Sequence, residues 1–414
     1  MTVVAITGIS SGIGPALLSQ LEVDPEVRTI VGLDVEPPPP AGDKLVFHRR
    51  SVTEPFEDLF AEAKVTVAVH LAFDDDPRDR PRAEAVNVAG TKNLLAACHA
   101  ANVGALVVLS SASAYGSRPD NPEYLYEGAP LRATPACPSA WDHLRREALA
   151  YEYVADHPNV RLIILRCAPI VGPSTGAALS RLLDGPLVVA PSGTDPVLQL
   201  VHEDDATRAI QRLVKTNHIG VFNLAADGFM TLSQAARLVE RPLVRLPLTL
   251  LRLGLWLGRR LGLFGLDRIG PGALEQALHP CIIAPVKVKS EGGLMLRYDT
   301  PRAFLAWLEA RSSGGRRLPA DEDDEPEDLD DAELESTDPD LFAAGPVNVV
   351  VVPDAPAEAQ APPAVEAQAP AAPPVVARAP EAPVSDVPAI EALAEAPAEA
   401  TPPEAAPVAD PPAA

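Results

Sequence analysis

The residue types that could do chemistry begin at once. An apolar run, Val3-Val4-Ala5-Ile6-Thr7, breaks into Gly8, Ser10-Ser11-Gly12 and Gly14 and resumes as Ala16-Leu17-Leu18. Glycine can take positive φ in a tight turn and lets a phosphate approach the backbone, while the first N–H groups of a following helix supply donors for an anion. The stretch therefore predicts a pyrophosphate cradle. Asp34 closes a second apolar run, Thr29 to Leu33, about 20 residues further on, where a carboxylate grips a ribose diol. Glycines at a strand-to-helix turn and an acid at the next strand end are the two halves of a dinucleotide-binding fingerprint.

Such groups need elements to hold them. Leu45-Val46-Phe47-His48, Val65 to Leu71, Ala105 to Leu109 and Arg161 to Arg166 are short apolar or β-branched runs, and helical spacing fills the gaps, as at Ala83 to Asn102. Strands this apolar, joined by helices, predict a doubly wound α/β fold of the Rossmann type, with a parallel sheet covered on both faces and ligands at its carboxyl edge. Gly8, Asp34, Ala72 and Ser111 fall at such ends. Beyond Gly172-Pro173 the pattern is irregular, with a helix near Asp205 to Val214 and a strand at Val221 to Leu224, which predicts a smaller lid interleaved with the sheet.

Composition limits the rest. The chain has 414 residues, 46 prolines and a net charge of −23, and 23 acidic against 3 basic residues lie from Ser312 onward. The preceding part is nearly neutral, so no basic stripe suggests nucleic acid. The start shows no charged, apolar-cored leader, and the expectation is cytoplasmic. Cys98, Cys137, Cys167 and Cys281 lack metal-like spacing, and His202-Glu203-Asp204-Asp205 has no second histidine at ligand spacing; no metal is expected.

Thr7 to Gly14, His70-Leu71-Ala72, Asn87 to Leu95, Ser110 to Gly116, Leu165-Arg166, Gly172-Pro173, Val201 to Ala206, Phe222-Asn223-Leu224 and Tyr298-Asp299-Thr300 together resemble the extended short-chain dehydrogenase/reductases, in that family's order. The likeness covers about residues 1–311 and is nearest to NAD-dependent epimerase/dehydratases, many of which act on nucleotide-linked sugars. The glycine spacing 8, 12, 14 is instead the one usual in single-domain short-chain enzymes. The resemblance implies a core mainly over 1–171 with returning elements near 200–225, and a substrate lid mainly over 172–199 and 226–311. It places Gly8, Ser11, Gly12, Ile13 and Gly14 around the pyrophosphate of NAD and Asp34 on the adenosine ribose, where a carboxylate disfavours NADP. Ser51 and Val52 stand near the adenine; Leu71, Ala72, Phe73 and Ser110 run beside the cofactor. Asn87 matches a helix-bending asparagine, and Ser111 the residue that hydrogen-bonds the substrate's reacting oxygen.

The family's catalytic pair is a tyrosine and a lysine four residues later, the lysine lowering a phenol pKa that is otherwise about 10. None of the six lysines, at 44, 64, 92, 215, 287 and 289, has a tyrosine four residues before it. In the expected place the alignment puts Trp141 on the tyrosine and Arg145 on the lysine. An indole offers no acid or base at pH 7, whereas Arg145 keeps the means to donate to the nicotinamide ribose. Three readings stay open: His143 or Asp142 replaces the tyrosine, Tyr124 or Tyr126 swings in from the loop Ser117 to Cys137, or the cofactor is bound without turnover. Two residues from Trp141 on a helix, His143 is expected to face solvent, and the loop tyrosines to be exposed.

Leu246 to Leu266 is apolar but carries Arg252, Arg259 and Arg260; it reads as a lid helix, with a membrane-surface or partner-binding helix as alternatives. From 312 to 414, the acidic run Asp321 to Asp340 and the Ala/Pro-rich remainder bury too little to fold and are expected to be disordered, with Val349 to Val352 as a candidate edge strand. Expected partners are a small molecule, a nucleotide sugar within the resemblance, a second copy as a homodimer, and a protein for the tail. The functional expectation is an epimerase/dehydratase-like oxidoreductase with a degenerate site, or a non-catalytic NAD sensor or scaffold.

Overall fold

The computed structural model describes residues 2–262, 270 and 272–312. The expectations for the acidic and Ala/Pro-rich tail and for Val349 to Val352 lie outside the described residues. Seven strands form one parallel sheet: β1 (Thr2–Thr7), β2 (Val27–Asp34), β3 (Leu45–Arg49), β4 (Val67–His70), β5 (Ala105–Ser111), β6 (Arg161–Cys167) and, after four short strands described below, β11 (Gly220–Leu224). Their spatial order is β3-β2-β1-β4-β5-β6-β11. The chain builds outward from β1 to β3, then crosses back to β4, so the order reverses between β1 and β4. Ligands bind at such a switch point in open α/β sheets. Register sets the carboxyl ends side by side: Thr7 pairs with Leu33 and with His70, and Ser111 with Cys167.

Helices cover both faces, as near-continuous apolar strands require. On one face α1 (Gly14–Val23) and α7 (Glu203–Lys215) pack with Val4, Ile6, Val69, Val107, Ile163 and Leu165. On the other, α2 (Glu57–Ala63), α4 (Gly90–Ala101) and α5 (Pro138–Asp156) bury Phe60, Leu94 and Ala150 against Leu33, Leu106 and Ile164. The short α3 (Arg80–Glu84) enters α4 through one π turn, Ala85–Ala89. The expected bend at Asn87 is that turn, a feature often found at functional sites.

The remaining elements make small sheets beside the main one: β7 (Ile170–Val171) with β10 (Val201–His202), β9 (Val197–Leu198) with β12 (Met230–Thr231), and β8 (Val188–Pro191) with β13 (Leu243–Leu246). With α6 (Ala177–Leu183), α8 (Leu232–Leu238) and α12 (Thr300–Ser312), they enclose a separate apolar cluster around Leu183, Val188, Met230, Phe304 and Trp307. Between these lie α9 (Leu248–Leu261), α10 (Ala273–Leu278) and α11 (Val286–Ser290). Helix α9 buries Leu251 but leaves Leu250, Leu253, Trp256 and Leu261 exposed. No helix among the described residues is long and apolar enough to cross a membrane.

A line of buried polar groups ties the switch point together. His70 Nδ1 lies 2.7 Å from Thr7 Oγ1, its Nε2 lies 2.9 Å from Thr91 Oγ1, and Thr91 donates to Asn87 O at 2.6 Å. Since Thr91 uses its proton on a carbonyl, it must accept from His70, which places the imidazole hydrogen on Nε2 and leaves Nδ1 to accept from Thr7. Burial, and then the nearby Arg146 charge, hold the His70 pKa well below its ordinary value. The unfolded chain therefore binds an extra proton below about pH 6.5, and stability falls as the pH drops through that value toward the folded pKa, at up to about 1.4 kcal/mol per pH unit for one histidine. The melting temperature is expected to drop between pH 7 and 5, and more shallowly in His70→Asn; equal acid sensitivity of the two proteins in calorimetry would refute the assignment.

Candidate functional site

The glycine turn is shaped by what cannot fit. A Cβ at Gly8 would lie 2.6 Å from Ala72 N, and one at Gly14 2.4 Å from Ile9 O, so the two glycines let the turn close against the Leu71-Ala72 backbone and against itself. Gly8 and Gly12 also have φ of +77° and +56°. Gly12 differs in having no protein atom within 4 Å of an added Cβ. With Ser11 it forms the exposed lip of the cradle, while Ile13 is buried in the core at the start of α1. Asp34 is oriented by backbone N–H donors, Oδ2 accepting from Ser10 at 2.9 Å and Oδ1 from Val35 at 2.7 Å. Its carboxylate is thereby locked to the glycine turn. Ser51 is half-buried and bonds Thr53, and Val52 packs where a Cβ at Gly90 would collide with it.

At the end of β5, Ser111 caps a single 3-10 turn (Ala112–Tyr115). Its Oγ accepts from Ser113 N at 3.1 Å and from Ser113 Oγ at 3.0 Å, leaving its own proton for an outside acceptor. Ser110 points the other way, buried, and donates to Glu147. The expectation that Ser110 lines the cofactor meets a hydroxyl already engaged inside the protein.

Helix α5 decides the rest. Glu147 receives Arg166 Nη2 at 2.8 Å and Nε at 3.1 Å, and Arg166 Nη1 reaches the Tyr115 hydroxyl at 3.0 Å and Glu127 O at 3.1 Å. Tyr115 in turn donates to Asn223 Oδ1 at 2.7 Å. One turn earlier Asp142, fully buried, is clasped by Arg80 and by Asn87 Nδ2 at 3.0 Å. Arg146 is also buried and donates to Leu109 O at 3.2 Å and His70 O at 3.5 Å. These contacts turn His143 inward. Its ring stacks on Phe73 with centroids 4.0 Å apart and planes 7° apart, and Arg146 lies over the same Phe73 ring at 5.2 Å. The expected solvent-facing histidine is thus corrected: the neighbouring buried acid and cations on α5 fix the helix rotation. Burial, then the Arg146 charge, hold the His143 pKa well below its ordinary value.

Trp141 and Arg145 stand two residues to either side of His143, about 200° around the helix at ~100° per residue. Arg145 is ion-paired with Glu84 of α3 at 2.6 Å. Asp142, bound on both oxygens, has no role as a free base. Tyr126 is exposed as expected and Tyr124 half-buried. Burial raises the pKa of Tyr115, Tyr124, Tyr151, Tyr153 and Tyr298, so none of these five is an activated phenol. Arg166 and Asn223 belong to motifs of the family pattern that carried no stated role, and Glu147 and Arg80 were not singled out by their sequence context. The four-residue step Ser139-His143-Glu147, which puts these residues on one helix face, is the signal that could have found the inward side. In the acidic run after β10, His202 Nδ1 accepts from Asp204 N, Glu203 Oε2 from Ser174 N, and Asp205 from Arg297 N and Tyr298 N, as structural caps.

The reversed strand order, the glycine turn and the tethered acid define a dinucleotide-binding α/β protein of the Rossmann type. Residues 4–225 match the model of the NAD dependent epimerase/dehydratase family, and the chain belongs to that family. It is 33% identical over 256 residues to the uncharacterized protein Rv0501 of Mycobacterium tuberculosis, covering 59% of this chain and 68% of that one. Among solved structures it is similar to a UDP-glucose 4-epimerase of Thermotoga maritima with UDP-glucose, at TM-score 0.59 and 17% identity, covering 76% of this chain and 100% of the other. It is likewise similar to the Thermus thermophilus UDP-glucose 4-epimerase complexed with NAD, at TM-score 0.59 and 20% identity, covering 74% and 98%.

The glycines should separate by experiment. Gly14→Ala forces a Cβ into backbone at 2.4 Å and is expected to lower the melting temperature strongly. Gly12→Ala meets open space and only a left-handed φ, costing about 1–2 kcal/mol. Equal destabilisation of the two, measured by denaturant titration, would contradict the picture of one glycine facing the protein and the other facing the ligand.

Proposed function

We propose that the chain binds NAD and is an epimerase/dehydratase-like oxidoreductase acting on a nucleotide sugar or related small molecule, with a site that has lost the usual tyrosine–lysine pair. The observation that carries this reading is the pairing of Gly12, open above the cradle, with an Asp34 carboxylate aimed by the same turn. The residues fit the cofactor. Ser11, Gly12 and the first N–H groups of α1 would hold the pyrophosphate, Asp34 the adenosine ribose, and Ser51 and Val52 the adenine side. Leu71, Ala72 and Phe73 would flank the remaining half. When bound, the nicotinamide accepts and returns a hydride; the chain's own part is to orient the substrate's oxygen, with Ser111 offering its free proton. In this reading 172–199 and 226–311 form the lid that admits the sugar.

Specific observations also favour a second reading, a non-catalytic NAD sensor or scaffold: five tyrosines have raised pKa values, and Arg145 is held by Glu84. Its partner would be a protein bound by the tail, and a homodimer is compatible with either reading. Hydride transfer to NAD on mixing with UDP-glucose, dTDP-glucose or their relatives separates the two. NAD is expected to bind more tightly than NADP to the full chain, because a 2′-phosphate would face the Asp34 carboxylate, and Asp34→Ala should narrow that preference. Calorimetric titrations giving equal affinities for the wild type would count against the cradle assignment.

A further inference from the structure

We infer that His143 is a neutral hydrogen-bond donor, protonated on Nε2, facing the nicotinamide end of the cleft, where it would hold the reacting oxygen of the substrate. This rests on the NAD-binding reading of the site and assigns it a residue that the tyrosine–lysine pattern does not supply. Position comes first. Phe73 directly follows Leu71 and Ala72 at the carboxyl edge, and the Ala72 backbone fills the space beside Gly8. A ring stacked on Phe73 at 4.0 Å is thereby held against the segment that leaves this carboxyl edge.

The tautomer follows from the two ends of the ring. His143 Nδ1 is closed off from solvent and has no hydrogen-bond partner, and Arg146 Nε, on the same helix, is likewise buried and unpartnered. A proton on Nδ1 would be a buried, unsatisfied donor in the field of Arg146, whose guanidinium rests on the same Phe73 ring. Placed on Nε2 it leaves Nδ1 an unpartnered acceptor instead, which the Arg146 charge on the same Phe73 ring favours over a donor. The residue keeps partial exposure while Nδ1 is shut off, so that exposure lies away from Nδ1. Burial, and after it the Arg146 charge, resist a positive charge on the imidazole and lower the His143 pKa. Other groups packed around this face are already engaged: Asp142 with Arg80 and Asn87, Glu147 with Arg166 and Ser110, and His70 with Thr7 and Thr91. A neutral donor suits a substrate oxygen that gains negative charge as hydride moves, the task for which fixed donors serve best. Ser111, with its free proton, is the second such donor.

The test is imidazole ¹⁵N NMR on the full-length protein, the His143 signal being assigned by its loss in His143→Phe, which keeps an aromatic ring on Phe73. Expected are a neutral, Nε2-protonated imidazole at pH 7 and a His143 shift on saturation with NAD that ADP-ribose, lacking nicotinamide, does not reproduce. A proton on Nδ1, or an imidazolium at pH 7, overturns the donor assignment. A signal unmoved by NAD, with calorimetry showing NAD bound, overturns the placement, as does an equal shift with ADP-ribose. Absence of NAD binding in the calorimeter overturns both this inference and the reading beneath it, and is distinguished by that second instrument.

Discussion

The buried ion pair between Glu147 and Arg166 is the constraint on which the arrangement of the site depends. Arg166 belongs to β6, Glu147 to α5, Ser110 to β5, Tyr115 to the 3-10 turn and Asn223 to β11, and all meet through hydrogen bonds of about 2.5 to 3.2 Å. Such a pair does not by itself add much stability, because desolvating both ions offsets their attraction. Breaking it is another matter: removal of one partner leaves a buried charge and costs about 3–5 kcal/mol. The consequence is geometric. A helix held at Glu147 has its rotation about its own axis fixed, and Asp142 with Arg80 and Asn87 fixes it again one turn earlier. Once both are set, His143 has no choice of face.

The glycine turn is rigid for a complementary reason. Gly8 and Gly14 are required by the protein's own backbone, and that close fit brings the Leu71-Ala72 segment against the turn. The same segment carries Phe73, on which His143 and Arg146 rest. Cradle and α5 are thus connected through one short loop. The π turn at Asn87 bonds to Asp74 on one side and to Asp142 of α5 on the other.

Much of this was legible in the sequence because it rests on local rules. Apolar strand runs, the strand–glycine–helix turn and the acid at the end of β2 need only neighbours in the chain, and the parallel sheet with its carboxyl-edge residues followed. Asn87 was recognised through the family pattern, and the π turn stands there. What escaped was rotational. Whether His143 or Arg145 faces inward depends on Arg166, nineteen residues beyond Glu147, and on Arg80, sixty-two residues before Asp142. No apolar periodicity within α5 reports this: the inward face carries Asp142, His143, Arg146 and Glu147 and, apart from its four-residue spacing, reads as a solvated one. Polar residues are inside because they satisfy each other across elements, which a hydrophobic pattern cannot show.

That polar inward face also bears on why an imidazole stands where it does. Arg146 donates to Leu109 O and His70 O near the ends of β5 and β4, feels the charges of Asp142 and Glu147, and lies over the Phe73 ring. A lysine placed on the same face one turn away would add a second cation in a poorly hydrated setting, where like charges at short range cost several kcal/mol. A neutral imidazole carries a donor to the same place without that repulsion. Burial first, and then the arginine on the same Phe73 ring, favour the neutral form, and the stack on Phe73 keeps it flat against the loop that the glycine turn holds.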